Sequence, residues 1–278
     1  MPLLHAIVLG IVQGLTEFFP VSSSGHLILV PWLFGWEDFG GDEHLAKTFD
    51  VALHLGTLVG VVGYFRADLW RYVRAGLAVL VERRRPVPTD GRLAWLLVLA
   101  TVPAGLTGLF LKDLINRLDD QIWLIAVMLL VGGALLAWAD RVPEKRATDE
   151  LSPRDALLVG AAQAVALQPG ASRSGMTITA GRFLGFDRAA AARLSFLMSV
   201  PVISGAVVFS FADALAGGGI PADFVAPFAA GIGSSALTGF AAVWATLRVV
   251  SAHSFAPFVA YRVVVGLLVL GLLASGAR

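Results

Sequence analysis

The stretch Gln13-Gly-Leu-Thr-Glu17-Phe-Phe-Pro20-Val-Ser22-Ser23-Ser24-Gly25-His26 places a carboxylate, an imidazole and three adjacent hydroxyls within hydrophobic sequence. A second stretch, which runs from Gln163 to Thr177, repeats its spacing without a gap. Four aligned pairs keep the same residue type: Gln13 with Gln163, Ser22 with Ser172, Ser24 with Ser174, and Gly25 with Gly175. The chain therefore contains two copies of one motif.

Each copy contains groups that the other lacks. The first copy has Glu17 and His26, where the second has apolar residues. The second copy has Arg173 at the position that aligns with Ser23. We interpret the two copies as the two halves of one functional site.

The composition indicates a protein that crosses the membrane several times. Of the 278 residues, 57% are hydrophobic and 15% are charged, whereas soluble domains contain about 25% charged residues. The lipid bilayer is therefore an expected partner, and nucleic acid is not. The absence of cysteine excludes disulfides and thiolate metal sites. Six stretches are long enough to cross a hydrocarbon core of roughly 30 Å: about 49-65, 92-111, 121-140, 194-212, 223-247 and 257-275.

The predicted spans are divided equally between the two halves of the chain. Three spans in each half mean that the second copy of the motif enters the membrane from the opposite side to the first. This is the inverted repeat of many transporters. We expect a single membrane domain over 1–278, in which pseudo-repeats 1–140 and 151–278 are joined by the polar linker 141–150.

Both copies of the motif interrupt a helix in the middle of apolar sequence. Pro20 cannot continue the helix before it, and the apolar piece that follows is too short to span the bilayer. Pro169 and Gly170 interrupt the second copy in the same way. Unpaired backbone is tolerated at membrane depth only when it is buried in protein or lines a wet cavity. The predicted fold is an all-α integral membrane protein, an inverted-topology repeat with about six transmembrane helices and two re-entrant helical hairpins.

The polar residues of the first copy suit an anion site. Gln13 and Glu17 are four residues apart and share a helix face. An ionised carboxylate that faced lipid would cost about 2.5 to 3.5 kcal/mol, so we expect Glu17 to face a polar interior; a purely structural ion pair is the alternative. One of Ser22, Ser23 and Ser24 is explained as a helix cap. A cap does not explain three adjacent serines. Free N–H groups at the start of a helix favour an anion, and the additional hydroxyls would supply further donors to it.

The second copy also has hydroxyl residues at the start of a helix, and it adds a guanidinium. Ser172, Ser174 and Thr177 supply hydroxyls, and the forked side chain of Arg173 suits phosphate oxygens. His26 is either a structural histidine or a base, acid or phosphoryl acceptor. We assign no role to His54, although its position would allow it to line the cavity.

Together these groups predict phosphoryl transfer, which needs positioning, neutralisation of the phosphate oxygens and an activated nucleophile. Glu17 is the candidate ligand of a divalent cation, Mg²⁺ or Ca²⁺, with the substrate phosphates and water supplying the other ligands. The alternative is a transporter or flippase of an anionic lipid or small anion, because transporters share inverted repeats with broken helices. A purely structural membrane subunit is a third and weaker hypothesis.

At these residues the sequence resembles the undecaprenyl-diphosphatase family, the bacitracin-resistance proteins. The resemblance includes Gln13-x-x-x-Glu17, Pro20 to His26, and Pro169-Gly170-x-Ser172-Arg173-Ser174-x-x-Thr177, and it extends over nearly the whole chain. Gln13 stands where some members have Glu. The resemblance implies hydrolysis of the terminal phosphate of undecaprenyl diphosphate in the bacterial inner membrane, which recycles the lipid carrier for cell-wall synthesis. It also implies a divalent metal, two re-entrant hairpins and a site open to the periplasm.

The resemblance also implies roles for individual residues. Glu17 would serve metal or base chemistry, and Ser23 or its neighbour Ser22 competes with His26 as the nucleophile candidate. Arg173 would hold the diphosphate, assisted by Ser172, Ser174 and Thr177. We also count Gln13, Ser22 and Ser24 among the candidate phosphate-binding residues. The substrate would be a polyprenyl diphosphate lipid. The oligomeric state is left open, a homodimer being one option.

The distribution of Lys and Arg predicts the orientation in the membrane. Most of these residues lie in three basic connections, 66–92, 141–155 and 248–256, which the positive-inside rule places in the cytoplasm. A reporter fused within 66–92 should therefore give the signal of a cytoplasmic location, and a reporter fused within 213–222 should give the signal of a periplasmic location. A periplasmic signal from 66–92 would overturn the predicted topology.

Overall fold

The described regular structure is helical. The computed structural model describes residues 1–82, 87–111, 121–216 and 219–277, without the side chains of 209–216. One isolated bridge pairs Arg146 with Phe186, and a short 3-10 helix covers Thr148–Glu150. In the described ranges the α-helices are α1 Leu3–Phe18, α2 Ser23–Phe34, α3 Glu43–Val81, α4 Thr89–Leu99, α5 Val102–Phe110, α6 Ile122–Ala139, α7 Pro153–Val165, α8 Arg173–Phe183, α9 Arg188–Ala216, α10 Ala222–Val250 and α11 Ala256–Ser275.

Six helical segments of the described chain are long and apolar enough to cross a membrane. They are Glu43–Val81, Thr89–Phe110, Ile122–Ala139, Arg188–Val208, Ala222–Val250 and Ala256–Ser275. Each contains or overlaps one of the six predicted spans. The prediction of an all-α integral membrane protein is confirmed.

The prediction that 66–92 is a loop is wrong over much of its length. Helix α3 continues to Val81, with a change of direction at Phe65, where ψ is 16°. Arg66 and Arg71 are therefore on a helix. Arginine is a good helix former, so a helix can continue through it. Arg66 and Arg71 mark the end of the apolar sequence, but the helix continues beyond them. Arg83, Arg84 and Arg85 lie outside the described residues.

The basic connections are in contact with one another at one end of the molecule. The guanidinium of Arg92 donates a hydrogen bond of 2.5 Å to the carbonyl of Asp149. The backbone N–H of Phe255 donates one of 3.1 Å to the carboxylate of Asp140, which precedes the second connection. The three segments that the charge pattern assigns to one side of the membrane are thus on one side of the fold, and which side is cytoplasmic stays a prediction.

Both copies of the motif form a helix, a break and a second short helix. Helices α1 and α2 flank the break at residues 19–22, and α7 and α8 flank the break at 166–172. The cap residues Ser22 and Ser172 have φ of 79° and 74°, the left-handed region that side chains rarely adopt. Each hydroxyl accepts the N–H of the glycine three residues later, Gly25 or Gly175. The predicted interruption is present in each copy; placement of the hairpins as re-entrant in the membrane stays a prediction.

Helix α1 packs closely on α10 through glycines. A Cβ atom added to Gly10 would lie 2.5 Å from the carbonyl oxygen of Gly231, and one added to Gly14 would lie 2.7 Å from that of Ser235. Only a hydrogen fits at these positions. Small residues recur at four-residue spacing in both helices, a pattern typical of close helix contact, and the contact fixes α1 beside α10.

A buried arginine joins the two breaks. Arg262 of α11 is fully buried. Its guanidinium donates hydrogen bonds of 2.9 to 3.1 Å to five backbone carbonyls, those of Pro20, Met128, Leu129, Gly170 and Ala171. One side chain therefore binds the first break, the second break and helix α6.

Replacement of Arg262 by methionine should destabilise the protein severely. The change leaves several buried carbonyls without a donor, and each such group costs about 1 to 3 kcal/mol. The thermal unfolding midpoint in detergent should fall far more for Arg262→Met than for Arg248→Met, which removes an exposed arginine from α10. Equal midpoints in the two variants would contradict the role given to Arg262.

Candidate active site

Glu17 is the centre of the candidate site. Its carboxylate is 6% exposed and lies at the end of α1, where three donors converge on it. Arg173 Nη2 is 2.8 Å from Oε1, Ser23 Oγ donates to Oε2 at 2.5 Å, and Gln13 Nε2 donates to Oε2 at 3.1 Å. The structure thus brings together groups from both copies of the motif, as the sequence pattern predicts.

The two breaks hold each other in this arrangement. Ser22 Oγ accepts the N–H of Gly170 at 3.1 Å, and Ser174 Oγ donates to the carbonyl of Phe19 at 3.1 Å. These reciprocal hydrogen bonds place the first turns of α2 and α8 side by side. Their N-terminal N–H groups and positive dipole ends therefore lie near Glu17, and they favour an anion there.

The hydroxyls predicted as phosphate ligands fall into two groups. Ser22, Ser172 and Ser174 are buried and take part in capping or in contacts between the breaks. Ser23 and Ser24 are only half-buried. Contact with a phosphate stays a prediction for all of them, and the geometry favours Ser23 and Ser24 for direct contact.

Ser23 has the geometry of an activated nucleophile. Because its hydroxyl hydrogen is directed at the Glu17 carboxylate, a lone pair on Oγ remains available for attack. A carboxylate at 2.5 Å is well placed to take the proton as the oxygen attacks. Gln13 and Arg173 hold that carboxylate in place.

Arg173 is oriented by a residue that the motifs do not reveal. Its Nη1 donates to the carbonyl of Ser195 on α9 at 2.9 Å. Thr177 is 2.7 Å from the Ser195 hydroxyl and donates to the Arg173 carbonyl at 2.8 Å. The Thr177 hydroxyl thus supports the start of α8. Ser195 lies in a mostly apolar run without a distinguishing pattern, so sequence gives no signal for it.

His26 is close to Ser22 but is engaged at both ring nitrogens. Nδ1 is 2.6 Å from the Ser22 carbonyl, and Nε2 is 2.9 Å from the hydroxyl of Tyr261 on α11. A carbonyl can only accept, so Nδ1 carries the hydrogen and Nε2 accepts from Tyr261. His26 was expected to lie within reach of a serine, and it contacts the backbone carbonyl of Ser22 and not a serine hydroxyl. This geometry favours a positioning role for His26 over a nucleophilic one.

His54 brings a further helix, α3, to the carboxylate of Glu17. Its Nε2 lies 3.6 Å from Glu17 Oε2, and its Nδ1 is 2.7 Å from the carbonyl of Asp50. The side chain is 31% exposed. The hypothesis that His54 lines the cavity agrees with this geometry, although His54 lies outside both copies of the motif.

The described residues contain no group of three or more His, Cys, Asp or Glu side chains that could hold a metal ion. Glu17 Oε2 lies 3.6 Å from His54 Nε2 and already accepts hydrogen bonds from Ser23 and Gln13, so a cation bound to Glu17 would compete with these donors and would take most of its ligands from phosphate and water. The expected Mg²⁺ or Ca²⁺ stays a prediction.

Comparison with known proteins gives the family. The family described as bacitracin resistance protein BacA matches residues 6–268. An undecaprenyl-diphosphatase of Pelotomaculum thermopropionicum is 46% identical over 276 residues, which cover 99% of this chain and 98% of that protein. One of Thermomicrobium roseum is 45% identical, with 99% of each chain covered, and one of Geobacter sulfurreducens is 46% identical, with 96% of each covered. The sequence resemblance is thereby confirmed, and this chain belongs to the BacA family of bacitracin resistance proteins.

Proposed function

We propose that this protein is a membrane phosphatase that hydrolyses undecaprenyl diphosphate to undecaprenyl phosphate and inorganic phosphate. The observation that carries the proposal is the contact of Ser23 and Arg173 with one carboxylate, Glu17. The relatives named undecaprenyl-diphosphatase, at 46% and 45% identity, support the same substrate. The product is the lipid carrier, so the reaction recycles it for cell-wall synthesis.

The geometry suggests the order of events. The terminal phosphate lies at the starts of α2 and α8, where Arg173 and backbone N–H groups neutralise its oxygens. Ser23 Oγ forms a bond to phosphorus while the bond from phosphorus to the bridging oxygen breaks, and the serine proton passes to Glu17. Glu17 passes this proton to the bridging oxygen of undecaprenyl phosphate, which leaves, and Glu17 becomes a carboxylate again. A water molecule then gives a proton to Glu17 and attacks the phosphorus of the phosphoserine. The bond from phosphorus to Ser23 Oγ breaks, Oγ takes the proton back from Glu17, and phosphate is released.

A divalent cation at this site would add positive charge on the phosphate oxygens. Glu17 is the protein ligand predicted from sequence, and Mg²⁺ or Ca²⁺ would take its remaining ligands from the diphosphate and water. Every proton transfer in the proposed sequence is carried by Ser23 and Glu17.

The proposed location is the bacterial inner membrane, with the site open to the periplasm. Support comes from the charge pattern: the basic connections are together at one end of the fold, and the positive-inside rule assigns that end to the cytoplasm.

Phosphate release by the purified full-length protein in detergent separates this function from transport, because detergent leaves no compartments. Glu17→Ala and Arg173→Ala should each lower the rate by about 10²-fold or more, since each removes a charge aimed at the reacting groups. Arg248→Ala, at an exposed position, should keep the wild-type rate. Binding of the lipid diphosphate without phosphate release would favour a transporter.

Trapping the phosphoenzyme identifies the nucleophile. With labelled substrate and a rapid acid quench, an acid-stable phosphoserine should form in the wild type and in Ser251→Ala, an exposed control, and be lost in Ser23→Ala. Acid-labile phosphohistidine would instead assign the attack to His26. No covalent label in the wild type would favour direct attack by water.

A further inference from the structure

The ring of His26 fixes one peptide group at the first break. Its Nδ1–H donates to the carbonyl of Ser22 at 2.6 Å, and the backbone N–H of His26 donates to the same oxygen at 3.2 Å. A trans peptide is planar, so this carbonyl and the N–H of Ser23 point in opposite directions. The carbonyl points into α2, where it accepts the first hydrogen bond of the helix. The Ser23 N–H therefore points out of the start of the helix, towards the position proposed for the phosphate.

The second copy of the motif forms its break without such a ring. Met176 aligns with His26, and its backbone N–H donates to the carbonyl of Ser172 at 2.8 Å. The methionine side chain has no donor to add. Ser22 and Ser172 nevertheless have nearly the same φ, 79° and 74°. The histidine is thus not needed to shape the break, and it adds a hydrogen bond in the copy that carries the proposed nucleophile.

The hydroxyl of Tyr261 determines which nitrogen of His26 carries the hydrogen. It lies 2.9 Å from Nε2, and the two rings are stacked at 21° with centroids 5.5 Å apart. A neutral imidazole has one protonated nitrogen, and only the Nδ1–H tautomer can donate to the Ser22 carbonyl. The partner of one ring nitrogen sets the state of the other. A hydroxyl that donates to Nε2 therefore stabilises the tautomer that holds Ser22.

The surroundings of His26 favour the neutral ring. His26 is buried, and its two nitrogens contact a carbonyl and a hydroxyl, neither of which carries a negative charge. The buried guanidinium of Arg262 binds the carbonyl of Pro20 in the same break at 3.1 Å. A second positive charge beside it is unfavourable. The ring is therefore neutral, and Nε2 is the acceptor that Tyr261 satisfies.

We propose that Tyr261 is a positioning residue for the phosphatase reaction, because its hydroxyl holds His26 in the Nδ1–H tautomer and His26 holds the peptide that precedes Ser23. This arrangement presents the Ser23 N–H to the phosphate while Oγ faces the Glu17 carboxylate at 2.5 Å. The inference rests on the proposed function, in which Ser23 is the nucleophile. Tyr261 acts through His26, from a helix outside both copies of the motif.

Tyr261→Phe removes the hydroxyl and keeps the ring. In the full-length protein in detergent, kcat for phosphate release should fall by about tenfold, because a misplaced nucleophile loses much of the benefit of orientation. KM should stay near the wild-type value, since Arg173 is untouched. Tyr64→Phe is the matched control: it removes the same hydroxyl from α3, where the ring packs on Phe65 and Phe240, and should keep the wild-type kcat. An unchanged kcat in Tyr261→Phe would overturn the inference.

The tautomer of His26 is measured by ¹⁵N NMR of the protein with labelled histidine. The chain has five histidines, and the signals absent from His26→Asn are those of His26. The wild type should show protonated Nδ1 and unprotonated Nε2. In Tyr261→Phe a protonated Nε2 should appear, because an unpaired buried acceptor is costly. Protonated Nε2 in the wild type, or signals unchanged by Tyr261→Phe, would contradict the proposal.

His26→Asn tests the coupling between the two residues. The asparagine amide can donate to the Ser22 carbonyl in place of Nδ1–H and does not depend on Tyr261. His26→Asn should therefore be more active than His26→Ala, and addition of Tyr261→Phe to it should cause no further loss. Equal activities of His26→Asn and His26→Ala, or the same tenfold loss from Tyr261→Phe in both backgrounds, would refute the positioning role. Absence of phosphate release by the wild type would contradict the proposed function itself.

Discussion

The hydrogen bonds of Arg262 are the constraint on which the site depends. A broken helix leaves backbone carbonyls without their usual N–H partners, and in apolar surroundings such groups need another donor. The guanidinium has five N–H donors in a planar fork, and it binds carbonyls from both breaks and from α6. Burying a charge is costly unless it is well hydrogen-bonded. At Arg262 the buried charge and the unpaired carbonyls satisfy each other.

This link explains why neither copy of the motif is sufficient alone. The first break carries the carboxylate and the serine, and the second carries the guanidinium that contacts the same carboxylate. Direct hydrogen bonds between the breaks, from Gly170 to Ser22 and from Ser174 to Phe19, add to the link that Arg262 makes. The candidate site is therefore distributed over two broken helices, which hydrogen bonds between side chains and backbone groups hold together.

Sequence reasoning predicted that the two copies of the motif meet, and Ser23 and Arg173 both contact Glu17 in the structure. Their meeting is predictable because isolated polar groups within apolar sequence need partners, whereas their roles in catalysis stay a prediction. The same reasoning missed Arg262 and Ser195. Arg262 donates to backbone carbonyls, and the backbone carbonyl of Ser195 accepts from Arg173; a pattern of side chains does not predict such contacts with the backbone. It also misjudged the connection after Phe65, since arginines continue a helix as readily as they end a span.

The approach of His54 to Glu17 was beyond sequence reasoning for a different reason. Its distance to Glu17 depends on how α1 and α3 both pack against α10, where glycines allow the helix backbones to approach closely. A spacing rule within one helix cannot supply that distance. Contacts between helices distant in sequence are set by such packing, which leaves no spacing pattern within either helix.

The pairing of Glu17 with Arg173 has a consequence for catalysis. Without substrate the two charges neutralise each other inside the protein, so the resting site holds no uncompensated ion. In the proposed reaction, an arriving diphosphate would compete with Glu17 for the guanidinium of Arg173, and binding would become an exchange of counterions. A carboxylate that loses its cation holds a proton more readily, so the headgroup itself would make Glu17 a stronger base towards Ser23.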